Sequence, residues 1–433
     1  MEYISSPKDR LKGRNHWPTL GLQEGEPLLA CKETRKPSDK RPYAWLLAGL
    51  LTAALIAPSA AYAKEPAVKQ PVTDLASNAK SAILMDADSG TVIYEKNSTL
   101  ALPPASITKI MTMLLVMEAI DEGRLKLTDK VTASEYASSM GGSQIFLEPG
   151  EEMTVEDMLK GVALASGNDA SVALAEKLGG SEQQFVAMMN EKAAELGMAN
   201  TKFVNCNGLP AEGHVSSARD IAIMSRELLK YEGITKYTGL YQDYLRKGSP
   251  KPFWLVNTNK LVRFYSGADG LKTGFTSEAK FCLSATARRD NLRLIAVVMG
   301  EPNTKTRNAE VSHLFDYAFA QYTNVPIYKK GDPIGTLPVE KGKVAKIPLT
   351  AKHSYSVLLK KGDAGKGIRH ELVLEPNVKA PVAIGQPIGK LIVYRGNDVL
   401  TEFPVESPVA VERAGWWSLL RRTTGHLFFS DSD

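Results

Sequence analysis

The sequence predicts an α+β fold in which an antiparallel sheet packs against a block of helices. Two β-hairpin patterns support this prediction: residues 82–95 form the first, and the apolar runs at 281–287 and 292–299 form the second. Several helical patterns lie between the two hairpins, and one more follows at 306–322. Strands and helices that are segregated along the chain in this way are typical of the α+β class.

Length and composition limit the classes of protein to consider. With 433 residues the chain is too long for one ordinary domain. Hydrophobic residues make up 43% and charged residues 23%, as in an average globular protein. The net charge of +5 is too small to indicate nucleic-acid binding. No Cys-x-x-Cys pair and no His-Glu-x-x-His motif is present, so we predict neither a metal nor another cofactor.

Changes in composition divide the chain into four predicted segments. Residues 325–406 combine many glycines and prolines with short β-rich runs and show no helical period. Within them, 331–337 and 385–391 repeat one turn-and-strand pattern. We place a basic extension with a signal peptide at 1–63, the α+β domain at 64–322, a small all-β domain at 323–407 and an amphipathic helix at 408–433.

The N-terminal extension has the three parts of a secretory signal. A basic stretch at 1–43 precedes an apolar run at 44–57, and Ala61-Tyr62-Ala63 supplies a cleavage site. The apolar run is shorter than the ~20 residues that span a bilayer. We therefore expect export with cleavage after Ala63, and retention as an uncleaved anchor is the alternative. Export would place Cys206 and Cys282 in an oxidising compartment, either as a disulfide or as two buried thiols.

A helix at 106–120 is expected at the centre of the α+β domain. Two prolines precede it, and apolar side chains cover nearly its whole circumference, as in a buried helix. Ser106 and Lys109 lie three residues apart, which places the amine beside the hydroxyl. Burial lowers the pKa of a lysine, so a neutral Lys109 would accept the proton of Ser106 and activate it as a nucleophile. In the alternative, Lys109 extends past a capping Ser106 to the surface. The Ser-x-x-Lys pattern occurs four times, but only this copy opens an apolar helix.

Four helices are predicted between this helix and the second hairpin. Thr154 with Asp157 resembles a capping box, and Ser217 with Asp220 has the same spacing. A loop rich in serine and glycine precedes them at 134–150. The predicted helices cover 155–165, 169–178, 182–196 and 217–229.

The C-terminal segment is amphipathic. Trp416 and Trp417 stand beside Arg413 and Arg421 at nearly helical spacing. A helix of this composition is too polar to span a membrane and is typical of an interfacial membrane anchor. A helix that docks on the β domain is the alternative.

Two further motifs indicate the chemistry. Ser166-Gly167-Asn168 begins 60 residues after Ser106, and Lys272-Thr273-Gly274 begins 106 residues after Ser166. Each triplet alone is an ordinary helix end or strand end, whereas all three motifs in this order are specific. With these motifs, and with the segments 190–209 and 279–300, the chain resembles the D-Ala-D-Ala carboxypeptidase family of low-molecular-weight penicillin-binding proteins. The resemblance extends from about Ala82 to the end.

The resemblance implies a fold like that of the DD-peptidases and β-lactamases, and a serine-type D-Ala-D-Ala carboxypeptidase that removes the terminal D-alanine from peptidoglycan pentapeptide stems. Ser106 would attack the carbonyl of the penultimate D-Ala and form an acyl-enzyme. Lys109 would be its base, kept neutral by burial and by the nearby cation of Lys272. Ser166 would relay a proton to the leaving amine, and Asn168 would hold Lys109 and the substrate amide.

The resemblance also implies how the substrate is held. The backbone N–H groups of Ser106 and Phe275 would form the oxyanion hole. Gly274 would let the substrate approach the strand closely. The side chains that would bind the terminal carboxylate are Lys272, Thr273 and, as a second contact, Arg307. Phe275 stands where some relatives carry histidine, so a histidine side-chain role in deacylation would be lost here.

The same family implies partners and a location. β-Lactam antibiotics would acylate the serine, and the protein would work at the outer face of the cytoplasmic membrane, held there by its C-terminal helix. Two alternatives are a DD-endopeptidase of cross-linked peptidoglycan and a non-catalytic penicillin-binding wall scaffold or sensor. A serine β-lactamase is disfavoured because no Glu-x-x-Leu-Asn follows Ser166 and because the chain carries the extra β domain.

Overall fold

The computed structural model of the protein describes residues 74–363 and 367–417. These residues all belong to one compact unit of the chain. The predicted signal peptide and the part of the predicted C-terminal helix beyond Trp417 lie outside the described residues.

Both helices and strands occur along the first three quarters of the described chain. In order they are β1 (Ser81–Asp86), β2 (Val92–Lys96), α1 (Lys109–Asp121), β3 (Lys130–Thr132), α2 (Glu135–Ser138), β4 (Glu152–Thr154), α3 (Val155–Lys160), α4 (Asn168–Gly179), α5 (Glu182–Glu195), α6 (Ala218–Leu228), α7 (Thr235–Thr238), β5 (Gln242–Leu245), β6 (Phe253–Val256), α8 (Leu261–Phe264), β7 (Ala268–Thr276), β8 (Lys280–Arg289), β9 (Leu292–Glu301) and α9 (Thr304–Gln321). The remaining elements are all strands or short turns: β10 (Tyr322–Tyr328), β11 (Pro333–Pro338), β12 (Lys346–Thr350), β13 (Tyr355–Lys360), β14 (Ile368–Leu374), β15 (Pro387–Arg395) and β16 (Asp398–Glu406).

A five-stranded antiparallel sheet forms the centre of the fold, in the order β2-β1-β9-β8-β7. Alternate residues of β1 enter different hydrophobic clusters: Ile83 packs with the helical block and Leu84 packs with α9. The sheet is therefore covered on both faces, which explains why β1 is buried along its whole length. The predicted α+β class and both predicted hairpins are confirmed.

The central helix differs from the prediction at its start. A 3-10 turn covers Ala105–Thr108, and the α-helix begins only at Lys109. Pro104 is the residue before the turn, and its carbonyl accepts the first bond, from Ile107 N at 3.3 Å. Ala105 adopts a left-handed backbone with φ of 50°. A chain that enters from two prolines has few free N–H groups and restricted φ angles, so a tighter turn precedes the helix. The predicted burial around the helix is confirmed.

The predicted helix starts at Thr154 and Ser217 are correct. The Thr154 hydroxyl accepts a bond from Asp157 N at 3.1 Å, and the Ser217 hydroxyl accepts one from Asp220 N at 3.2 Å. The predicted helix at 155–165 changes character within its length, because α3 ends at Lys160 and a π-helical turn continues over Gly161–Ala165. The predicted loop at 134–150 contains the short helix α2.

The C-terminal strands form a β part with its own hydrophobic cluster, as predicted for a small all-β domain. The two repeated patterns are indeed turn-and-strand units, with left-handed glycines at Gly331 (φ 90°) and Gly385 (φ 76°) before β11 and β15.

Two side-chain contacts join this part to the end of β1 and the hairpin turn after it. Asn324 donates to Asp86 at 2.8 Å, and Ser356 donates to Asp88 at 2.5 Å.

The predicted C-terminal helix is wrong for residues 408–415, which form a bend followed by isolated β-bridges at Val411 and Arg413, and helical backbone begins only at Trp416. Val411 is buried in the cluster of the β part and pairs with Val382 in an antiparallel bridge. Packing of this apolar side chain on the β strands outweighs helix formation so close to Pro408. Trp416 and Trp417 follow with 66% and 75% of their surface exposed. None of the described helices combines the length and the apolar character needed to cross a bilayer.

The cysteines Cys206 and Cys282 are completely buried and are not joined in a disulfide. Of the two states left open by the sequence, the structure therefore contains the buried thiols. Burial raises the pKa of both thiols, so they remain neutral at ordinary pH.

Candidate active site

The Ser106 hydroxyl and the Lys109 amine are in contact, as the three-residue spacing predicts. Lys109 Nζ lies 3.1 Å from Ser106 Oγ. The Lys109 side chain is completely buried and does not reach the surface, so the alternative of a surface lysine is wrong. Its amine has two further contacts, at 2.6 Å to Asn168 Oδ1 and at 2.5 Å to the backbone carbonyl of Asn207.

Three contacts to oxygen atoms fit both an ammonium, which donates three N–H bonds, and an uncharged amine. A neutral amine has two N–H groups to donate and one lone pair to accept a proton. The oxygens of Asn168 and Asn207 are acceptors, so they use both N–H groups. The lone pair is then left for the Ser106 hydroxyl. In its uncharged form, Lys109 is therefore placed so that it can accept the proton of the Ser106 hydroxyl.

Burial lowers the pKa of Lys109 to about 7, and the Asp169 carboxylate opposes part of this shift. The pKa of Lys272 is lowered well below its ordinary value, first by burial and then by the charges of Lys109 and Arg307. Burial, rather than the Lys272 cation, is thus the main cause of the neutral state at Lys109. The repulsion between the two ammonium groups acts chiefly on Lys272.

The amide of Asn168 is oriented by a second contact. Its Nδ2 donates to the Gly141 carbonyl at 2.7 Å, which turns Oδ1 towards Lys109. The neighbouring Asp169 holds the same loop, because its carboxylate accepts bonds from Ile145 N and Leu147 N at 3.0–3.1 Å. The loop at 134–150 is therefore fastened to the first turn of α4. Neither of these loop contacts was expected from the sequence.

Ser166 lies at the end of the π-helical turn with a left-handed backbone (φ 62°, ψ 32°). Its side chain is buried, and among the described residues its Oγ has no hydrogen-bond partner. A non-glycine residue in this conformation carries a cost of ~1 kcal/mol or more, and such strain is concentrated at functional sites. The structure therefore brings Ser106, Lys109 and Asn168 into direct contact but gives Ser166 no hydrogen bond to either lysine.

The Lys-Thr-Gly motif lies on β7, which is an edge strand of the central sheet. Lys272 is 1% exposed, and its Nζ donates to the Thr273 carbonyl at 3.1 Å. Thr273 Oγ1 donates to Thr258 Oγ1 at 2.7 Å. A methyl group at Gly274 would lie 2.9 Å from the Pro104 carbonyl oxygen. The close approach at Gly274 is thus made by the turn that carries the serine, and the glycine holds that turn against β7.

Arg307 lies in the first turns of α9 and is 4% exposed. Burial lowers its pKa to about 10, which still leaves it cationic at neutral pH. Its described hydrogen bonds go to Asn308 Oδ1, at 3.0 and 3.1 Å. The charge of Arg307 lowers the pKa of Lys272, so the two side chains lie in the same region of the site.

Two residues of the site were not predicted individually, Asn207 and Gly208. The segment that contains them contributed to the family resemblance, but Asn207 acts through its backbone carbonyl. A methyl group at Gly208 (φ 84°) would lie 1.9 Å from the Ala105 carbonyl oxygen, so this glycine packs directly against the serine turn. The sequence feature that could have predicted this turn is the Asn-Gly pair, because such a pair favours a left-handed backbone.

His214 supports the same turn from behind. Its Nδ1 accepts from Val204 N at 2.9 Å, so its Nε2 carries the proton and donates to Thr108 Oγ1 at 2.7 Å. Burial lowers its pKa to about 4, which keeps the ring neutral. The sequence analysis gave this histidine no role.

Comparison with known families identifies two regions of similarity. A family profile described as D-alanyl-D-alanine carboxypeptidase matches residues 65–303. A second profile, described as the C-terminal domain of penicillin-binding protein 5, matches residues 322–413. Together they cover both the α+β part and the β part of the chain.

Curated relatives match over most of their length. The chain is 52% identical to D-alanyl-D-alanine carboxypeptidase DacF of Bacillus subtilis over 386 residues, which cover 89% of this chain and 98% of the relative. It is 33% identical to D-alanyl-D-alanine carboxypeptidase DacC of Escherichia coli, with 87% of this chain and 94% of the relative covered. Among solved structures, penicillin binding protein 5 from Haemophilus influenzae is similar with a TM-score of 0.61 and 31% identity, covering 78% of this chain and 98% of that one.

Proposed function

Because the chain belongs to the D-alanyl-D-alanine carboxypeptidase family and is a serine-type carboxypeptidase of that class, we propose that Ser106 is its nucleophile and Lys109 its base. The observation that carries this proposal is the set of contacts at Lys109, which leaves the lone pair of a buried amine for the Ser106 hydroxyl. The proposed substrates are peptidoglycan stems that end in D-Ala-D-Ala. β-Lactams would acylate the same serine.

Acylation begins with transfer of the hydroxyl proton from Ser106 to Lys109. The alkoxide attacks the carbonyl carbon of the penultimate D-Ala, and the carbonyl oxygen becomes negatively charged. The Ser106 amide is available to this oxygen, because N–H groups in the first turn of a helix have no intrahelical acceptor. Together with Phe275 N–H it forms the proposed oxyanion hole, in which one donor typically contributes ~2.7–4 kcal/mol.

Collapse of the tetrahedral intermediate breaks the C–N bond and releases D-Ala, whose nitrogen takes up the proton. We assign to Ser166 the transfer of this proton from Lys109 to the leaving nitrogen. The support is its buried hydroxyl, which has no partner among the described residues, and its strained backbone. Asn168 keeps Lys109 in place and has a second N–H on Nδ2 for the substrate amide. Water then hydrolyses the acyl-enzyme, again with Lys109 as base.

The terminal carboxylate of the substrate is assigned to Lys272, Thr273 and Arg307. A carboxylate beside Lys272 favours its charged form and offsets the burial that lowers its pKa. The restored ammonium then lowers the proton affinity of Lys109, so solvent does not protonate the amine before the serine reacts. Substrate binding would thereby keep the base neutral.

The division of the chain and its location are further parts of this proposal. We place the catalytic domain at 64–322 and the β domain after it. The separate hydrophobic cluster of the β part supports this division, and the burial of Val411 extends the β domain beyond residue 407. The exposed Trp416 and Trp417 support a membrane-surface anchor at the C-terminus, and with the predicted signal peptide they indicate work outside the cytoplasm.

The test is mass spectrometry of a pentapeptide stem incubated with the full chain. The parent protein should remove one alanine, and Ser106→Ala should remove none. Ser77→Ala is the matched control, because Ser77 and Lys80 repeat the Ser-x-x-Lys pattern outside the site. Cleavage of cross-linked dimers alone would indicate an endopeptidase, and penicillin labelling without any cleavage would indicate a sensor or scaffold.

A further inference from the structure

A cavity of about 450 Å³ opens beside the serine turn. Residues 103–105, the loop 208–215, Thr276 and Glu278 line it. Its wall thus includes the residue directly before Ser106 and the end of the strand that carries Lys-Thr-Gly. None of the side chains assigned above to proton transfer or to carboxylate binding lines this cavity.

The order of residues on β7 gives the direction in which a substrate would run. The terminal carboxylate is assigned to Lys272 and Thr273, and the oxyanion donor to Phe275. A peptide that lies along this edge strand with its C-terminus at Lys272 therefore extends its preceding residues past Phe275 towards Thr276 and Glu278. The peptide is then antiparallel to β7, which is the usual arrangement when a peptide adds to an open sheet edge. At ~3.4 Å per residue, the residue before D-Ala-D-Ala reaches the mouth of the cavity.

The charge of the cavity defines what this residue should carry. Glu212 and Glu278 line it, and both are exposed. Within the described part of the chain, neither carboxylate has an ion-pair or hydrogen-bond partner, and no lysine or arginine lines the cavity. The ring of His214 is neutral, so it does not offset the two negative charges.

We propose that this cavity binds the diamino residue that precedes D-Ala-D-Ala in a peptidoglycan stem, and that Glu212 and Glu278 recognise its free side-chain ammonium. This inference rests on the proposed function, because it assumes that Ser106 acylates at the penultimate D-Ala. An amine that has been acylated in a cross-link is neutral and bulkier than a free amine. The enzyme therefore prefers stems whose side-chain amine is free to stems whose amine is already cross-linked.

Two matched peptides test the proposal with the full-length protein: Nα-acetyl-L-Lys-D-Ala-D-Ala, which has a free ε-amine, and its Nα,Nε-diacetyl counterpart. We expect a kcat/KM about tenfold higher for the peptide with the free amine, mainly through a lower KM. The ammonium makes two partly exposed ion pairs, and each of them contributes up to about fivefold. The preference should decrease with added salt, because partly exposed charges are screened. Glu212→Gln and Glu278→Gln should each reduce it, and the double variant should abolish it by lowering kcat/KM for the free-amine peptide to the value of the diacetyl peptide.

Glu371→Gln is the matched control, because Glu371 is an exposed glutamate on β14, outside the cavity lining. It should retain the full preference. Equal kcat/KM for the two peptides in the parent protein would overturn the proposal, as would a preference that survives in the double variant. Failure of the proposed function looks different, since neither peptide would then lose D-Ala, and that result would overturn both.

Discussion

Asn168 Oδ1 lies 2.6 Å from Lys109 Nζ, although the two residues are 59 positions apart in the chain. This contact brings the first turn of α4 to the amine that we propose as the base for Ser106. It is made by a neutral amide, and the neutrality matters because a charged neighbour at this distance would change the protonation state of the base. The contact therefore gives a direct way to test the role of Lys109.

The rate of acylation should depend on pH through Lys109. With its pKa lowered to about 7, the amine is protonated and inactive below this pH and is a free base above it. Penicillin acylation should therefore rise tenfold per pH unit below about pH 7 and level off above it. Asn168→Asp places a carboxylate beside the amine and raises the pKa of Lys109, so the rise should move upward by at least ~1 pH unit. Stopped-flow acylation between pH 5 and 10 measures both the rise and the plateau. A rise at the same pH in the variant as in the parent protein would contradict the assignment of Lys109 as the base.

Substitution of Gly208 should disrupt the serine turn. An added methyl group would lie 1.9 Å from the Ala105 carbonyl oxygen, and the φ of 84° is itself unfavourable for alanine. Gly213→Ala is the matched control in the same loop, because its φ is 76° but its methyl group would meet nothing within 4 Å. The control should lose only the backbone contribution of ~1–2 kcal/mol. Gly208→Ala should lose considerably more in the free energy of unfolding and should label poorly with fluorescent penicillin. Similar losses in the free energy of unfolding of both variants would show that the contact with Ala105 contributes nothing to stability.

The Glu301 carboxyl should destabilise the fold at higher pH. Burial, with contact and repulsion from Glu310, raises the pKa of Glu301 to about 8, and its oxygens have no hydrogen-bond partner among the described residues. In the unfolded chain Glu301 loses its proton near pH 4.5, whereas the folded protein retains it up to about pH 8. The free energy of unfolding therefore falls as pH rises between these values. Glu301→Gln removes this dependence. The thermal midpoint of the variant minus that of the parent protein should therefore increase from pH 5 to pH 8. A constant difference across this range would contradict the assignment.

Release of a bound β-lactam should be slow. The carboxylate nearest to the Ser-Gly-Asn motif, Asp169, accepts bonds from Ile145 N and Leu147 N and is not a free base for water. Phe275 supplies a backbone N–H but no titratable side chain. We expect intact-mass measurements to show a penicilloyl adduct on Ser106 that persists after free penicillin is removed. Fast turnover of a chromogenic cephalosporin would instead indicate a β-lactamase.

Side-chain spacing was enough to predict part of this site. The spacing of three positions from Ser106 to Lys109 fixes their contact, and the apolar surroundings in the sequence correctly indicate that Lys109 is buried. The strand position of Lys272 could also be predicted, because a clear hairpin follows it. Local periodicity and local spacing carry this information.

Other parts depend on atoms that leave no signature in a sequence. The Asn207 contact is made by a backbone carbonyl oxygen, and every residue of the chain has the same group. The 3-10 turn before α1 follows from packing against Gly208 and Gly274 as much as from the prolines. The non-helical path of residues 408–415 includes a pairing of Val411 with Val382, which is a contact that a helical pattern in the sequence does not reveal.

The amine of Lys109 touches oxygen atoms from three separate places in the chain, the last of them at Asn207. Truncation from the C-terminal side would therefore remove the surroundings of the base long before it reached the serine. The smallest active fragment has to extend through β7, whereas the strands after α9 supply none of the atoms around this amine. An excised block from the serine turn through α7 would keep all three of these contacts but would lack β7 and the Lys-Thr-Gly residues on it.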